Sequence, residues 1–309
     1  MNAATESAHE APTSVSLREL IQLKPAGEMI KLSTPRVRAY AAGGHLSPFK
    51  GRGVEFDESR PYQEGDDLRT IDWRVTARTG KAHTKVFREE RNRPVILWLD
   101  LRASMMFATR GAYKSVLAAR AAGLIAWSAI ANGDQLGGLV FSGSGHDEQR
   151  PRLGRRTALR LLQLIASNRA WEVSTTEADS GAGLHALKRL TRVARPGSLV
   201  FLFSDFIGLD REFERLLMEV ASHCDVQLLH LFDSVEVELP PPGEYRIQLD
   251  RRVHTVNMTD MTLRDRYKEA FEQRRAKLEH LARLPGVRLI PCATDDDLTS
   301  LLTRRFARR

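Results

Sequence analysis

The sequence predicts an α/β protein in which a doubly wound, mainly parallel sheet is joined to an N-terminal β-rich module. From Pro94 onward, apolar strands alternate with amphipathic helices, which is the pattern of a parallel sheet covered on both faces. Residues 36–93 instead alternate charged and apolar residues between glycine-containing turns, as short strands do. With 309 residues and 42% apolar content, the chain is long enough to bury a sizeable core.

The region before Pro94 divides into two segments. Residues 1–14 are small and polar, and we expect them to be disordered. Residues 15–93 are predicted to hold a short helix followed by the β-rich module. The helix begins at Ser16, because Glu19 three residues later completes a capping-box pattern. The module has no sizeable core of its own, so it is expected to pack on the rest of the chain.

The main domain is predicted to span residues 94–309. Its first strands and helices are expected, in chain order, at 95–100, 112–131, 134–142, 155–167, 183–193, 198–205, 210–222 and 225–232. A β-hairpin excursion at about 236–258 follows, because the Pro240–Gly243 turn leads into an alternating run. The remaining elements are expected at 262–284, 286–292 and 295–306.

Composition predicts a cytoplasmic protein. Cys224 and Cys292, the only cysteines, adjoin apolar runs, which favours buried reduced thiols over a disulfide. The first residues lack the basic start and apolar stretch of a signal peptide. The apolar run 116–131 is shorter than a membrane span and contains Arg120. The net charge of +8 is a modest excess, clustered only at 304–309.

Two of the predicted strands end on aspartate, Asp100 and Asp205. If these strands are neighbours, both carboxylates meet at the carboxyl edge of the sheet together with Ser104 and Ser204. Carboxylate and hydroxyl oxygens are ligands that Mg²⁺ prefers. One hypothesis is therefore a metal site at Asp100, Ser104 and Asp205. Its functional consequence would be a metal-dependent hydrolase or phosphoryl-transfer enzyme that uses the two aspartates.

This order of residues resembles a von Willebrand factor A domain, a Rossmann-type fold with a metal-ion-dependent adhesion site (MIDAS). That family uses an Asp-x-Ser-x-Ser loop after the first strand, a threonine from a second loop and an aspartate from a third. Asp100 and Ser104 match the outer positions of the first loop, and Asp205 matches the third loop. Arg102 replaces the middle serine, and Ala182 stands at the threonine position. The resemblance therefore implies a degenerate adhesion site.

The upstream segment resembles the signature of domain-of-unknown-function family 58, in which it precedes a von Willebrand A-like domain. The matching residues are Glu55-Phe56, Arg60, Tyr62, Gly65-Asp66, Arg69, Asp72-Trp73, Ala77-Arg78 and Glu89–Arg91. The segments LFDSVEVELPPPGEY and RDRYKEAF also resemble this family, so the resemblance extends over residues 32–306. It implies a partner, since members are commonly associated with MoxR-type AAA+ ATPases and are thought to act with them in assembling or activating other proteins. The expected function is a non-enzymatic partner or adaptor of such an ATPase, with a client protein as a further partner and with membranes reached only through partners.

Arg102 has two interpretations. A guanidinium beside carboxylates supplies a permanent positive charge and a planar fork of donors, so it can take the role of the cation. The loop is then locked by an arginine–carboxylate pair, and no cofactor is expected. A Mg²⁺ ion would have to displace the guanidinium and would lack a hydroxyl ligand at Ala182. We favour the lock and keep the metal as the alternative.

The charged and aromatic residues of the β-rich module also have two interpretations. A partner-docking face would use Arg60, Tyr62, Arg69, Trp73 and Arg78, since aromatic and arginine residues dominate interface energetics. The charges would otherwise form internal ion pairs that fasten the module, which is the interpretation that we favour.

Several enzyme classes are excluded by motif. The sequence contains neither the G-x-x-x-x-G-K-[ST] phosphate loop nor an H-E-x-x-H zinc motif, and two cysteines are too few for a zinc ribbon. A second alternative function, binding of nucleic acid or an anionic membrane, depends on the basic cluster Arg304–Arg309. We expect no nucleic-acid partner, because the charge excess is small.

Overall fold

The computed structural model describes residues 13–32, 54–63, 66–89, 92–172, 181–208, 210–249 and 252–306. The described strands are β1 (Val54–Pro61), β2 (His83–Glu89), β3 (Pro94–Asp100), β4 (Gln135–Ser142), β5 (Gly145–Arg152), β6 (Leu199–Ser204), β7 (Asp225–Phe232), β8 (Glu244–Leu249), β9 (Arg252–Asn257) and β10 (Val287–Ala293). The described α-helices are α1 (Leu17–Gln22), α2 (Lys24–Met29), α3 (Trp73–Thr79), α4 (Lys114–Ala131), α5 (Arg155–Ala166), α6 (Ala182–Val193), α7 (Arg211–His223), α8 (Ser234–Val237), α9 (Met261–Leu281) and α10 (Leu298–Phe306). The chain divides into a larger unit, residues 1–34 and 93–309, and a smaller unit, residues 35–92.

A six-stranded, mostly parallel sheet forms the centre of the larger unit, with strand order β10-β7-β6-β3-β4-β5. All neighbouring strands are parallel except the β4–β5 pair, which is antiparallel. This is a doubly wound, Rossmann-like arrangement, as predicted. The strand order reverses between β3 and β6, and in such sheets ligand sites form at the carboxyl ends of the strands beside this point. Asp100 and Asp205 therefore meet there.

Helices cover both faces of the sheet, and the apolar strands divide their side chains between them. Val95, Leu97 and Leu99 of β3 join one core with α1, α2, α4, α5 and α10. Ile96 and Trp98 join the other core with α6, α7 and α9. Because both faces are covered, β3 reads as a continuous apolar run rather than an alternating one.

Helix α4 is the central helix of the first core. Its 18 residues are long and apolar enough to cross a membrane by composition, yet 83% of that stretch is buried inside the protein. Helices α1 and α2 pack closely against it: a Cβ atom at Gly27 would lie 2.7 Å from the carbonyl oxygen of Leu124. The Trp127 indole N–H also donates to the carbonyl of Leu20 at 2.9 Å. The N-terminal helices thus belong to the larger unit, whereas the sequence interpretation grouped residues 15–93 together.

The smaller unit contains a hairpin and one helix among its described residues. Strands β1 and β2 pair antiparallel, with a register shift between Phe56 and Glu58. Only strands and turns were expected in this region, but residues 73–79 form helix α3. The reason is local: the Asp72 carboxylate accepts hydrogen bonds from the first backbone N–H groups of the helix, and Gly80 ends it at a φ of 70°. Glycine-containing turns were also expected in this segment, at 51–53 and 64–67; these turns and the disorder expected at 1–14 fall wholly or partly outside the described residues.

Strand β5 was not predicted. Its sequence, GHDEQRPR, is polar because it forms a mostly exposed edge of the sheet, where proline is tolerated. The predicted hairpin excursion is present as the antiparallel pair β8–β9. Helix α10 begins at Leu298 rather than 295, because Asp297 accepts hydrogen bonds from the N–H groups of Thr299 and Ser300.

Candidate functional site

The loop after β3 is closed by its own arginine. Asp100 ends the strand and is fully buried. One carboxylate oxygen accepts the Arg102 backbone N–H at 2.9 Å, and the guanidinium binds both oxygens, with Nε at 3.0 and 3.1 Å and Nη2 at 2.7 Å. The guanidinium also lies against Gly183 at the start of α6, where a Cβ would be 3.6 Å from Cζ. Arg102 therefore neutralises Asp100 and fills the space between two loops.

The β6 loop joins the same arrangement. The hydroxyl of Ser204 donates to Asp100 at 2.6 Å and accepts the N–H of Phe206 at 2.9 Å. Phe206 adopts a φ of 53°, a left-handed conformation that is uncommon for a bulky residue. The turn directs the Ile207 N–H to the Asp205 carboxylate at 3.0 Å and the Ile207 carbonyl to the Arg102 guanidinium at 3.2 Å. These hydrogen bonds hold the two strand ends together and keep Phe206 in its strained conformation.

A second internal cation, Lys114, neutralises Asp205. This first residue of α4 is 1% exposed, and its ammonium group lies 3.1 Å from Asp205 and 3.2 Å from Glu236. Burial alone would lower the pKa of Lys114, but the two carboxylates outweigh burial and raise it. Burial would likewise raise the pKa of Asp205, but Lys114, the Ile207 N–H and then Arg102 lower it well below its usual value. Lys114 and Asp205 are therefore held as an ion pair inside the protein.

The sequence interpretation missed both Lys114 and Glu236. A lysine in the first turn of a helix is unfavourable, because the positive end of the helix dipole lies there. Such a residue at the start of an almost entirely apolar helix was the available signal for a buried acidic partner. Glu236 had a local explanation instead: it completes a capping box with Asp233 at the start of α8.

Asp233 ties three further loops to this edge of the sheet. Its carboxylate accepts the backbone N–H of Thr109 at 2.7 Å, the Val235 N–H at 3.0 Å and the Thr294 hydroxyl at 2.8 Å. Burial would raise the pKa of Asp233, but the hydrogen bonds led by those from Thr109 lower it. The loops after β3, β7 and β10 are thus joined through one buried carboxylate.

His230 on β7 lies beside these ionic groups, but it is not a candidate acid or base. It is 2% exposed, stacks among Phe206, Phe232 and Phe271, and has no hydrogen-bond partner for Nε2 in the described part of the chain. Burial, followed by the nearby guanidinium of Arg274, lowers its pKa to about 3. The ring is neutral at physiological pH.

The remaining predicted adhesion-site residues are less involved. Ser104 lies in a 3₁₀ turn after Arg102, and its hydroxyl oxygen is buried without a hydrogen-bond partner among the described residues. Ala182 is 8% exposed and begins α6. The structure therefore brings Asp100, Arg102 and Asp205 together, while Ser104 and Ala182 flank them.

These residues do not fit a divalent cation. The Arg102 guanidinium occupies both oxygens of Asp100, and the Lys114 ammonium occupies Asp205. The pocket beside Arg102 and Ser204 has a volume of only about 10 Å³, roughly the room of one water molecule. Across the described residues, no group of three or more histidine, cysteine or acidic side chains is placed to hold a metal.

The five predicted docking residues all lie in the smaller unit. Trp73 is 71% exposed, and Arg69 and Arg78 are exposed as well. Tyr62 is half-buried, and Arg60 pairs with Asp66 at 2.7 Å. Among the described residues, an internal ion pair is found for Arg60 but not for Arg69 or Arg78.

The three acidic side chains that the structure describes in the smaller unit bind internal partners. Asp66 binds Arg60, and Asp67 accepts the backbone N–H of Arg69. Asp72 caps α3 and accepts the Ser59 hydroxyl at 2.8 Å. The described surface around Trp73 is consequently basic and aromatic.

The basic C-terminal cluster is partly tied to the backbone. Arg304 donates to the Ser300 carbonyl at 3.3 Å, and Arg305 donates to the Leu289 carbonyl at 3.0 Å. Arg308 and Arg309 lie outside the described residues. Two of the four arginines therefore already have partners within the protein.

Comparison with solved structures finds two similar chains at 15% identity and a TM-score of 0.41, each covering 69% of this chain and 96% of the other. One is the conserved hypothetical protein BatB from Bacteroides thetaiotaomicron, and the other is an aerotolerance-related membrane protein from Bacteroides fragilis.

Sequence relatives are more similar. The uncharacterized proteins Rv1480 of Mycobacterium tuberculosis and Mb1516 of Mycobacterium bovis are each 32% identical over 268 residues, covering 86% of this chain and 83% of the relative. A family model described as "Protein of unknown function DUF58" matches residues 58–277, which is more than half of the chain. The chain therefore belongs to the DUF58 family.

Proposed function

We propose that this protein is a non-enzymatic interaction protein of the cytoplasm, a partner or adaptor of a MoxR-type AAA+ ATPase that acts in assembling or activating other proteins. Its sheet is then a von Willebrand A-like domain with a degenerate adhesion site, and the smaller unit supplies the docking face. The observation that carries the proposal is the exposure of Arg69, Trp73 and Arg78 within one short stretch of the smaller unit, where the described acids Asp66, Asp67 and Asp72 bind internal partners. Tryptophan and arginine side chains are enriched in interface hot spots.

The closed site at the sheet edge supports the non-enzymatic part of the proposal. A hydrolase that used Asp100 and Asp205 would need at least one carboxylate free to bind a metal or activate water. Arg102 and Lys114 occupy both carboxylates, and the adjoining pocket has no room for a substrate. The proposed protein works without a cofactor, and its ionic groups hold loops in place.

The proposal is tested by measuring binding of the full chain to a purified MoxR-type ATPase from the same genome. We expect Trp73→Ser to weaken binding at least about tenfold, since a central interface tryptophan contributes on the order of 2 kcal/mol or more. The double variant Arg69→Gln with Arg78→Gln should mainly slow association and reduce its salt dependence. The matched control is Leu153→Ser, because Leu153 is 52% exposed and lies in the other unit.

Two results would contradict the proposal. Equal affinity of the ATPase for the wild-type chain and for Trp73→Ser would show that this face is not the docking site. Absence of binding to the ATPase at micromolar concentrations would remove the proposed partnership itself.

A further inference from the structure

A pocket lined by five arginines lies at the opposite end of the sheet from the Asp100 site. It opens where β3 and β4 begin, next to Pro94 and Gln135, and has a volume of about 430 Å³. Its five arginines come from β5 and from the end of α6 with the turn after it: Arg150, Arg152, Arg189, Arg192 and Arg195. The described lining contains no acidic residue.

Four of these five guanidinium groups have no partner among the residues that the structure describes. Arg189 is half-buried and held by two hydrogen bonds to Glu148, which fixes its direction. The side chains of the other four arginines make no hydrogen bond or ion pair with any described residue. Elsewhere in the larger unit, buried cations are neutralised, as Arg93 is by Asp134 at 3.3 Å. The pocket is therefore a local concentration of uncompensated positive charge.

We propose that this pocket binds a compact anion that carries two or more phosphate groups. All five cationic side chains are arginines, whose planar fork of donors matches the oxygens of a phosphate group better than a lysine ammonium does. The volume of about 430 Å³ lies within the range of small-molecule sites. An extended acidic peptide would need a longer groove than this concave site offers.

The experiment is calorimetric titration of the full chain with sodium tripolyphosphate, with orthophosphate, magnesium-free ATP and a hexaglutamate peptide as parallel ligands. We expect one tripolyphosphate per chain, bound more tightly than orthophosphate, because several charge-assisted hydrogen bonds form at once. Binding of ATP at similar strength would show that the phosphates are the recognised part. Weaker binding of tripolyphosphate than of ATP would show that a nucleoside contributes as well.

Two double variants separate a built site from general attraction to a basic protein. Arg150→Gln with Arg192→Gln should weaken tripolyphosphate binding at least about tenfold. Arg169→Gln with Arg266→Gln removes the same charge from exposed positions outside the pocket, and should change affinity less than about twofold. All four side chains are exposed, so melting temperatures should stay near wild type. If the first pair lowers the melting temperature, Arg152→Gln with Arg195→Gln replaces it.

Three results would overturn the inference. The first is absence of saturable binding at millimolar tripolyphosphate. The second is an equal loss of affinity in both double variants, which would assign binding to net charge alone. The third is equally tight binding of hexaglutamate, which would make the pocket a docking site for an acidic peptide.

Discussion

Replacement of Lys114 by methionine tests whether the internal cations hold the sheet edge together. The ammonium group is 1% exposed and is shared by two carboxylates, Asp205 and Glu236, that are themselves 1% and 4% exposed. Methionine has a similar length but leaves both acids without their cation. Removal of one partner from a buried ion pair costs about 3–5 kcal/mol of unfolding free energy. For a unit of this size the melting temperature should fall by roughly 6–15 °C.

The loss of unfolding free energy in the Lys114→Met variant should depend on pH, and the charge of Asp205 determines the direction. In the wild type, the pKa of Asp205 lies below its unfolded value, so its contribution is present above about pH 4 and is lost as the pH falls. Without Lys114, we expect burial to outweigh the Ile207 N–H and Arg102 and to raise the pKa of Asp205 above the unfolded value, so that the penalty grows as the pH rises. The difference in unfolding free energy between variant and wild type should therefore be larger at pH 8 than at pH 5.

Urea unfolding at these two pH values measures both effects, and Lys188→Met is the matched control. Lys188 pairs with Glu212 at 2.8 Å, but both side chains are 43% exposed, so its loss should cost less than about 1 kcal/mol. Substitution of Asp205 by Asn and Glu236 by Gln in the Lys114→Met background should recover part of the stability. The reasoning would be refuted if Lys114→Met were no less stable than Lys188→Met, or if its loss of unfolding free energy were the same at pH 5 and at pH 8.

Three further predictions concern the same unit. Arg102→Ser places a serine in the middle of the loop that was predicted to be an adhesion site, yet we expect melting temperatures with about 5 mM Mg²⁺ and with EDTA to agree within about 1 °C, since Lys114 still occupies Asp205; a larger rise with Mg²⁺ would reveal a cation site. In the His230→Phe variant, the unfolding free energy should fall less steeply as the pH decreases. Because the pKa of His230 is about 3 in the folded protein, the unfolded state takes up a proton first, and the wild type loses about 2 kcal/mol of unfolding free energy between pH 6.5 and pH 5 through this residue. Chemical unfolding that gives the variant the same pH dependence as the wild type over this range would contradict the prediction. Cys224 and Cys292 are fully buried, and burial raises the pKa of the Cys292 thiol to about 12. Neither thiol should react with a disulfide reagent until the protein unfolds, so rapid labelling of the native chain would disprove their burial.

The sheet could be predicted because each buried strand is recognisable from the apolar run of its own residues. Strand β3 is buried on both faces, so six consecutive residues of the strand are buried and its apolar run is visible without any partner. Strand β5 lies at the edge, mostly exposed, and its polar sequence carries no such signal. Helix α3 was missed for a related reason, since its cap, Asp72, looked like one more charge in an alternating segment.

In the candidate site, contacts between residues near in sequence could likewise be predicted, whereas contacts between distant residues could not. Arg102 and Asp100 are two residues apart, so their pairing follows from the loop sequence and the end of one strand. Lys114 meets Asp205 across 91 positions and Glu236 across 122. Only the parallel sheet, which brings the carboxyl ends of β3, β6 and β7 to one edge, makes these partners neighbours. The five arginines of the opposite pocket are likewise dispersed, from Arg150 to Arg195.

The two internal cations also determine where binding can occur. A ligand that replaced Lys114 at Asp205 would leave the ammonium buried beside Glu236 alone, and one that replaced Arg102 would have to detach it from Asp100 and from the Ile207 carbonyl. Each exchange breaks a pair that is largely out of water, and each therefore costs several kcal/mol before any new contact forms. Binding at Trp73 or at the arginine pocket carries no such cost, because these side chains are exposed or half-buried and, apart from Arg189, have no ion pair with any described residue. On energetic grounds, we expect the proposed partners to bind at those two surfaces, while Arg102 and Lys114 hold the loops at the Asp100 edge in place.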